Sequence, residues 1–256
     1  MKLNLNKKLA AAYHGKSQKI RVLTEDWVDR WVFCPNCGRF DIQRYENNRP
    51  VADFHCAHCL EEYELKSKQN LFGVKIVDGA YRTMMERLKS AQNPNLFLLT
   101  YRIENPLVTN FYVIPKYFFV PGMIEKRSPL SQTARRAGWI GCNILVRQVP
   151  EAGKIFFVRN GTIRSKKEVL ADWQRTHFLK SEQEITAKGW LLDVMRSIEK
   201  IGKREFMLEN VYAFKKQLAR WHPENRHIED KIRQQLQVLR DKGYLEFSQR
   251  GRYRLR

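Results

Sequence analysis

Two close pairs of cysteines constrain the fold of this chain more than any other feature. Cys34 and Cys37 form the first CxxC pair, Cys56 and Cys59 form the second, and 18 residues separate the pairs. This spacing is typical of a zinc ribbon, in which two tight turns supply four thiolates to one tetrahedral Zn²⁺. A closed site of four thiolates has no open position for water, so we expect structural zinc that takes no part in catalysis.

Two alternatives remain for these cysteines, namely two disulfides or four free thiols. The first ten residues are too polar for an export signal, so we expect a cytoplasmic protein, and disulfides are rare in that compartment. His55 and His58 adjoin the second pair, and either could replace a cysteine as a ligand. The fifth cysteine, Cys142, is isolated, and we expect it to be a small buried residue.

The excess of basic side chains indicates an anionic partner. The 256 residues include 47 Lys and Arg against 27 Asp and Glu, which gives a formal net charge of +20. Cationic side chains that neutralise phosphates release condensed counterions, and this favours binding to nucleic acid. The alternative is a basic protein without such a partner. No apolar run approaches the roughly 20 residues of a bilayer span, so we expect no membrane association.

The apolar pattern changes near residue 180. Before it, buried-strand runs at residues 96–101 and 111–114 alternate with helical stretches, which predicts an α/β or α+β domain over residues 1–180. One of these helices is predicted between Asp78 and Gln92, with Asp78 as its N-cap.

Residues 183–256 have the pattern of three helices and a two-stranded hairpin, which predicts a small winged-helix domain. The third helix is predicted to begin after an Asn225 cap and to end at Gly243. A recognition helix presents its polar face to the major groove, and the wing contacts phosphates. The candidate DNA-binding residues here are Arg226, His227, Lys231, Arg233, Gln234, Gln237, Arg250 and Arg252.

Two carboxylates and a lysine lie on predicted strands around the second cysteine pair. The strands cover residues 51–54 and 62–66, so Asp53 and Glu64 should meet near one end of a sheet. Lys66 should share the face of Glu64, because side chains alternate along a strand. This combination predicts Mg²⁺-dependent phosphodiester hydrolysis, in which carboxylates bind the metal and the lysine positions the attacking water.

Other groups and another interpretation belong to the same region. The Leu65 carbonyl could supply a further hard oxygen ligand for Mg²⁺, and Glu62 is a rival to Glu64. The alternative to a catalytic site is an exposed acidic strand with a salt-bridged lysine.

Longer blocks of the sequence closely resemble the DpnI family of methyl-directed restriction endonucleases. The resemblance covers essentially the whole chain, and the blocks are residues 46–54, both CxxC pairs, 64–68, 78–81, 133–143 and 231–237. It implies a PD-(D/E)xK nuclease domain that carries a zinc-binding insertion at residues 34–59, followed by the winged-helix domain. By motif position it implies catalytic roles for Asp53, Glu64 and Lys66 and zinc binding by Cys34, Cys37, Cys56 and Cys59.

The resemblance also implies a substrate, which is double-stranded DNA with 6-methyladenine in GATC. It favours DNA contact for Arg135, Arg136 and Trp139, whereas composition alone favours a core tryptophan beside two solvated arginines. We expect a monomer in solution. The rival class is a non-catalytic transcription regulator with a zinc ribbon and a winged helix, which leaves the pattern of carboxylates and lysine unexplained.

Overall fold

Helices and strands account for most of residues 1–46, 52–90, 93–182 and 184–256, which the computed structural model describes. The α-helices are α1 (Lys16–Trp31), α2 (Tyr81–Ser90), α3 (Lys166–Thr176), α4 (Ile185–Ile201), α5 (Leu208–Tyr212), α6 (Lys215–Trp221) and α7 (Ile228–Asp241). The strands are β1 (Ile42–Arg44), β2 (Phe54–Cys56), β3 (Glu62–Gln69), β4 (Ile76–Ala80), β5 (Asn95–Arg102), β6 (Leu107–Ile114), β7 (Ile124–Lys126), β8 (Gly141–Ile144), β9 (Ile155–Arg159), β10 (Thr162–Ile163), β11 (Glu205–Met207), β12 (Leu245–Gln249) and β13 (Arg252–Leu255). Short 3₁₀ segments lie at Lys7–Ala10, Lys116–Phe118, Pro121–Met123, Val146–Gln148, Glu151–Gly153 and His177–Ser181.

A mixed sheet with the strand order β1-β2-β3-β5-β6-β9-β10 forms the centre of the N-terminal part. Strands β3 and β5 run parallel, and the other neighbours are antiparallel. The nearly continuous apolar run of β5 is buried, which confirms the strands predicted at residues 96–101 and 111–114. Helix α1 covers one face, where the Trp27 ring meets the Phe111 ring edge-on at 5.2 Å. Strand β3, which carries Glu64 and Lys66, is held against this core by Tyr63, whose ring stacks on Phe97 at 4.3 Å.

A second sheet, with the order β4-β8-β7, lies next to α2. The predicted N-cap role of Asp78 is wrong, because Asp78 lies within β4, opposite Cys142, and α2 begins directly after that strand. Helix α2 ends at Ser90, and the predicted end at Gln92 falls outside the described residues. Cys142 is fully buried, as expected.

The C-terminal part has the helices and hairpin of a winged helix and one additional strand. Strand β11 joins the hairpin in the order β11-β13-β12. With three residues, this strand is too short to show a periodic pattern in the sequence. The predicted second helix is divided into α5 and α6. Asn225 does not cap α7; His227 occupies the N-cap position, and its N–H donates to Asn225 Oδ1 at 2.8 Å. Gly243 follows α7 with a left-handed φ of +74°, as predicted.

Further predicted boundaries differ from the structure or lie beyond it. Strand β2 begins at Phe54, one residue after Asp53, and Val51 lies outside the described residues. Residue 183 also lies outside them, so the start of the second domain stays a prediction. None of the helices in the described ranges combines the length and apolar character needed to cross a bilayer.

Candidate active site

The four paired cysteines come together in one cluster. Their sulfur atoms all lie within 4.8 Å of one another, with Cys34 Sγ 3.5 Å from Cys59 Sγ and Cys37 Sγ 3.6 Å from Cys56 Sγ. Four sulfurs bound to one tetrahedral Zn²⁺ at about 2.3 Å are about 3.8 Å apart. The cluster therefore fits a zinc ion, and neither neighbouring histidine belongs to it.

Both cysteine turns have the same backbone geometry. The residue after each CxxC pair has a left-handed φ, +77° at Gly38 and +60° at Leu60. The Gly38 N–H donates to Cys34 O at 2.8 Å, and the Leu60 N–H donates to Cys56 O at 2.9 Å. Glycine adopts this conformation without strain, whereas a leucine does not. The second turn therefore carries backbone strain that the first avoids.

Asp53 binds the edge of β3 at the point where the pairing between β2 and β3 has ended. The ladder between these strands ends at Phe54 and Tyr63, and the Asp53 N–H donates to Tyr63 O at 2.9 Å. The Asp53 carboxylate then accepts the Leu65 N–H at 2.7 Å through Oδ2. Because the N–H and C=O of one strand residue point to the same side, the Leu65 carbonyl also faces this edge. Asp53 Oδ1 and the Leu65 carbonyl are oxygen donors of the kind that Mg²⁺ prefers.

Glu64 and Lys66 occupy one face of β3 and enclose a small cavity with β4 and α2. Lys66 Nζ lies 2.5 Å from Glu64 Oε1 and 2.8 Å from Asp78 Oδ1. The cavity has a volume of about 270 Å³, and its walls include Thr83 and Arg87 of α2. Two carboxylates thus hold one ammonium group in a partly enclosed space.

Burial and charge set the protonation of this cluster. Burial, assisted by the charges of Asp78 and Asp53 and opposed by Lys66, raises the pKa of Glu64 to about 7. Burial disfavours the charge on Lys66, but Glu64 and Asp78 outweigh it and raise the Lys66 pKa above its usual range. Lys66 is therefore a fixed cation, and Glu64 is a carboxyl group that titrates near neutral pH.

The structure places Asp53 beside a different cavity from Glu64 and Lys66, which differs from the expected meeting of the two carboxylates. Asp53 and Leu65 line a cavity of about 440 Å³ on the α1 side of β3. The reason is that the Leu65 N–H lies beyond the end of the β2–β3 ladder and binds the Asp53 carboxylate at the strand edge. Asp53 remains within electrostatic range of Glu64 and Lys66. Within the described residues, the carboxylates do not form a three-ligand cluster.

The rival ligand Glu62 has a partner of its own. Its Oε1 accepts the Tyr45 hydroxyl at 2.7 Å, and the Tyr45 ring stacks on His55 with 4.3 Å between ring centroids. Glu62 does not line the cavity that contains Glu64 and Lys66. The geometry therefore favours Glu64 as the ligand.

Family models match nearly all of the chain. The model described as the Dam-replacing family matches residues 1–182, and the model described as the Dam-replacing HTH domain matches residues 186–255. The chain belongs to the Dam-replacing family. The predicted fold class is confirmed: a mixed α/β N-terminal part with a cysteine cluster precedes a helix-turn-helix domain. Membership supports a restriction-type nuclease function that acts on DNA.

Two acidic residues of this Dam-replacing protein, Asp78 and Glu25, lie beside the predicted catalytic residues without having been predicted as part of the site. The local pattern predicts a helix cap at Asp78, whereas the structure pairs this carboxylate with Lys66. Glu25 of α1 is only 4% exposed, with Arg21 Nε at 2.5 Å and Arg44 Nη1 at 3.2 Å. Burial, followed by the charge of Glu25, raises the pKa of Asp53 against the opposing amide of Leu65. The sequence signal for Glu25 is its position among the apolar residues that form the buried face of α1.

The candidate DNA contacts of the Dam-replacing N-terminal part lie in the turn between β7 and β8. Arg135 and Arg136 are exposed and Trp139 is half-buried, so the tryptophan is not a core residue. The Arg136 guanidinium lies over the Trp139 ring at 4.6 Å. A Cβ atom on Gly141 would lie 2.8 Å from that ring, so the glycine is required for its position. The turn presents a stacked arginine and tryptophan at the surface.

The polar face of α7 in the Dam-replacing HTH domain is accessible. Arg233, Gln234 and Gln237 of α7 are exposed, and Lys231 is half-buried. Arg226 and His227 are exposed too, but they precede Ile228, the first residue of α7, so Arg226 does not lie on the helix face where it was predicted. The opposite face is buried in the domain core, as predicted. Arg233 contacts Asp230 and the Tyr212 hydroxyl. The wing arginines at positions 250 and 252 are exposed at the hairpin turn.

Proposed function

We propose that this protein is a Mg²⁺-dependent endonuclease that cuts double-stranded DNA at GATC sites containing 6-methyladenine. The observation that carries the proposal is the arrangement on β3, where Asp53 binds the Leu65 amide at the strand edge and Glu64 and Lys66 follow on the same strand. Family membership supports the restriction-type activity, and the resemblance supports the methylated site.

Oxygen donors on β3 and beside it suit Mg²⁺, which commonly uses one or two carboxylates and completes its coordination with substrate phosphate and water. Asp53, Glu64 and the Leu65 carbonyl are the proposed ligands. The chemistry that Mg²⁺ supplies when bound is polarisation of the scissile phosphate and activation of water. Structural Zn²⁺ would be held by the cysteine cluster, which joins the turns on either side of β1 and β2.

Lys66 is the proposed group that orients the attacking water. Its ammonium group is held between Glu64 and Asp78, so its position is set by two strands. When Glu64 serves as a metal ligand, Asp78 still anchors Lys66. The fixed positive charge also stabilises the negative charge that develops on the phosphate.

Recognition of the methylated site is assigned to two surfaces, the Arg136–Trp139 turn and the polar face of α7. Enclosing one methyl group yields about 0.8 kcal/mol, which is a few-fold in affinity. Two surfaces that each prefer the methyl group would multiply their preferences. Readout of methyladenine by both parts of the chain would therefore discriminate better than readout by either part alone.

The test uses one plasmid prepared in two forms, with and without adenine methylation at GATC. We expect Mg²⁺-dependent cutting of the methylated plasmid at GATC and no cutting of the other form. Cutting of both forms would refute the methyl dependence. Intact plasmid in both cases, together with tight DNA binding, would favour a non-catalytic regulator.

A further inference from the structure

Another cavity adjoins the one that contains Glu64 and Lys66 and reaches the C-terminal part of the chain. It lies between α2, the 3₁₀ segment Lys116–Phe118 and the first turn of α4, and its volume is about 490 Å³. Arg87, Asn93 and Phe119 line both this space and the cavity that contains Glu64 and Lys66. We call it the α2–α4 cavity. A ligand bound at the active site can therefore continue into it.

The lining of the α2–α4 cavity is strongly basic. Its cationic side chains are Arg87, Lys89, Lys116, Lys180 and Lys188. Its acidic lining residue in the described chain is Glu182, whose carboxylate accepts the Glu184 N–H at 3.2 Å. Because cations outnumber acids, the cavity suits an anion.

Two of the five cations share one carboxylate partner, Glu61. Lys116 Nζ lies 2.9 Å from Glu61 Oε2, and Lys180 Nζ lies 3.2 Å from Glu61 Oε1. Glu61 is itself buried and also accepts a hydrogen bond from Asn95 at 3.0 Å. These contacts fix one wall of the cavity and leave the other cations available.

The remaining cations, Arg87, Lys89 and Lys188, have no carboxylate within ion-pair distance among the described residues. Burial lowers the pKa of Arg87, against the attraction of Glu64 and Asp78. Burial also lowers the pKa of Lys188, against the attraction of Glu182. A partly buried cation without a close partner is unfavourable, and an anion placed between Arg87 and Lys188 would relieve that penalty.

We propose that the α2–α4 cavity binds a backbone phosphate of the DNA strand that is cut, through Arg87 of α2 and Lys188 of α4. The inference rests on the proposed nuclease function, because the cavity adjoins the place where that function puts the scissile phosphate. A guanidinium group binds phosphate in a bidentate manner, and an ammonium group adds a point charge. The DNA strand would then contact both parts of the chain beside the site of cleavage.

The test measures how salt affects binding of a methylated GATC duplex to the full-length protein, with Ca²⁺ replacing Mg²⁺ to limit cutting. Each phosphate contact contributes about 0.9 to the slope of log affinity against log salt. We expect Lys188→Gln to reduce the slope by about 0.9 and Lys188→Arg to retain it. Lys203→Gln, the same change beyond the other end of α4, serves as the matched control and should leave the slope unchanged. An unchanged slope in Lys188→Gln would overturn the proposal.

A second pair of variants tests the cavity independently of α4. Arg87→Gln should lower the slope by a similar amount, and Arg87→Lys should restore most of it, because the charge is kept. Thermal melting shows whether Lys188→Gln has lost stability. Even if it has, equal salt slopes for wild type and Arg87→Gln would contradict the proposed phosphate site. Wild-type cutting of methylated plasmid tests the nuclease function separately, so failure of either hypothesis can be distinguished from failure of the other.

Discussion

The Asp78 carboxylate holds the Lys66 ammonium at 2.8 Å across the gap between β4 and β3. The Asp78 side chain is only 8% exposed, so this contact is protected from solvent. The relationship matters because Glu64, the other partner of Lys66, is also a proposed metal ligand. Asp78 is therefore a positioning residue that keeps the lysine in place when Glu64 binds metal.

Replacement of Asp78 should slow cleavage without removing the catalytic lysine. Asp78→Asn keeps the shape but loses the ion pair, so we expect the single-turnover rate to fall roughly 10–100-fold, the usual range for misplacement of a catalytic group. Affinity for methylated duplex and zinc content should stay at wild-type values. A matched control is Glu125→Gln, because Glu125 pairs with Lys75 on an exposed part of the same sheet. Equal rates for Asp78→Asn and wild type would exclude the positioning role.

Loss of Asp53 or Lys66 should remove cutting while DNA binding persists. We expect Asp53→Ala and Lys66→Ala to lower the single-turnover rate by at least roughly 100–1,000-fold. Each variant loses several kcal/mol of transition-state stabilisation, and about 1.4 kcal/mol corresponds to a tenfold change in rate. Binding should change little, because affinity resides mainly in phosphate and base contacts elsewhere. Lys68→Ala is the control, since Lys68 is an exposed lysine on the same face of β3. A variant that cuts at nearly the wild-type rate removes its residue from the mechanism.

The dependence of cleavage on Mg²⁺ should shift with pH. Burial raises the pKa of Glu64 to about 7, so a proton competes with the metal for this carboxyl group below neutral pH. The group binds metal only when ionised, so Mg²⁺ affinity should rise as pH increases through 7. We expect the half-saturating Mg²⁺ concentration to be about tenfold higher at pH 6 than at pH 8. The same half-saturating concentration at both pH values would contradict Glu64 as a ligand.

Zinc should be present and necessary for folding of the N-terminal part. We expect one Zn²⁺ per chain by elemental analysis, and loss of that zinc with partial unfolding in Cys56→Ser, because metal binding is coupled to folding. Cys142→Ser is the control, since Cys142 lies outside the cluster. Active, chelator-free protein without zinc would disprove the site.

The strained turn at Leu60 predicts a stabilising substitution. Leu60 has φ of +60° and is 74% exposed, so glycine would relieve strain and lose little burial. We expect Leu60→Gly to raise the free energy of unfolding by about 1 kcal/mol, an increase of about 2–4 °C in melting temperature. The opposite change, Gly38→Ala, should destabilise, because its Cβ would also lie 3.1 Å from Lys166 Cε. A lower melting temperature for Leu60→Gly would show that the leucine side chain contributes more than the strain removes.

Local sequence patterns determined the parts of this protein that depend on neighbours in the chain. The spacing of the cysteines predicted the metal cluster, because each CxxC pair forms its own turn. The apolar run of β5 and the helical period of α7 predicted a buried strand and a helix with one buried face. Gly243 predicted the end of α7, because a helix often ends at a residue with left-handed φ and glycine adopts that conformation without strain. These features are local, and periodicity or turn chemistry is sufficient to specify them.

Tertiary structure alone decided which side chains meet. Asp78 reaches Lys66 only because β4, in a separate sheet, packs beside β3, and sequence gave it an equally good role as a helix cap. Asp53 turns toward α1 because the β2–β3 ladder ends and leaves the Leu65 amide without a backbone partner. Arg87 and Lys188 line one cavity although about a hundred residues separate them. The physical reason is that such contacts depend on how elements distant in the chain pack together. The apolar pattern of a single helix or strand does not specify which element packs against it.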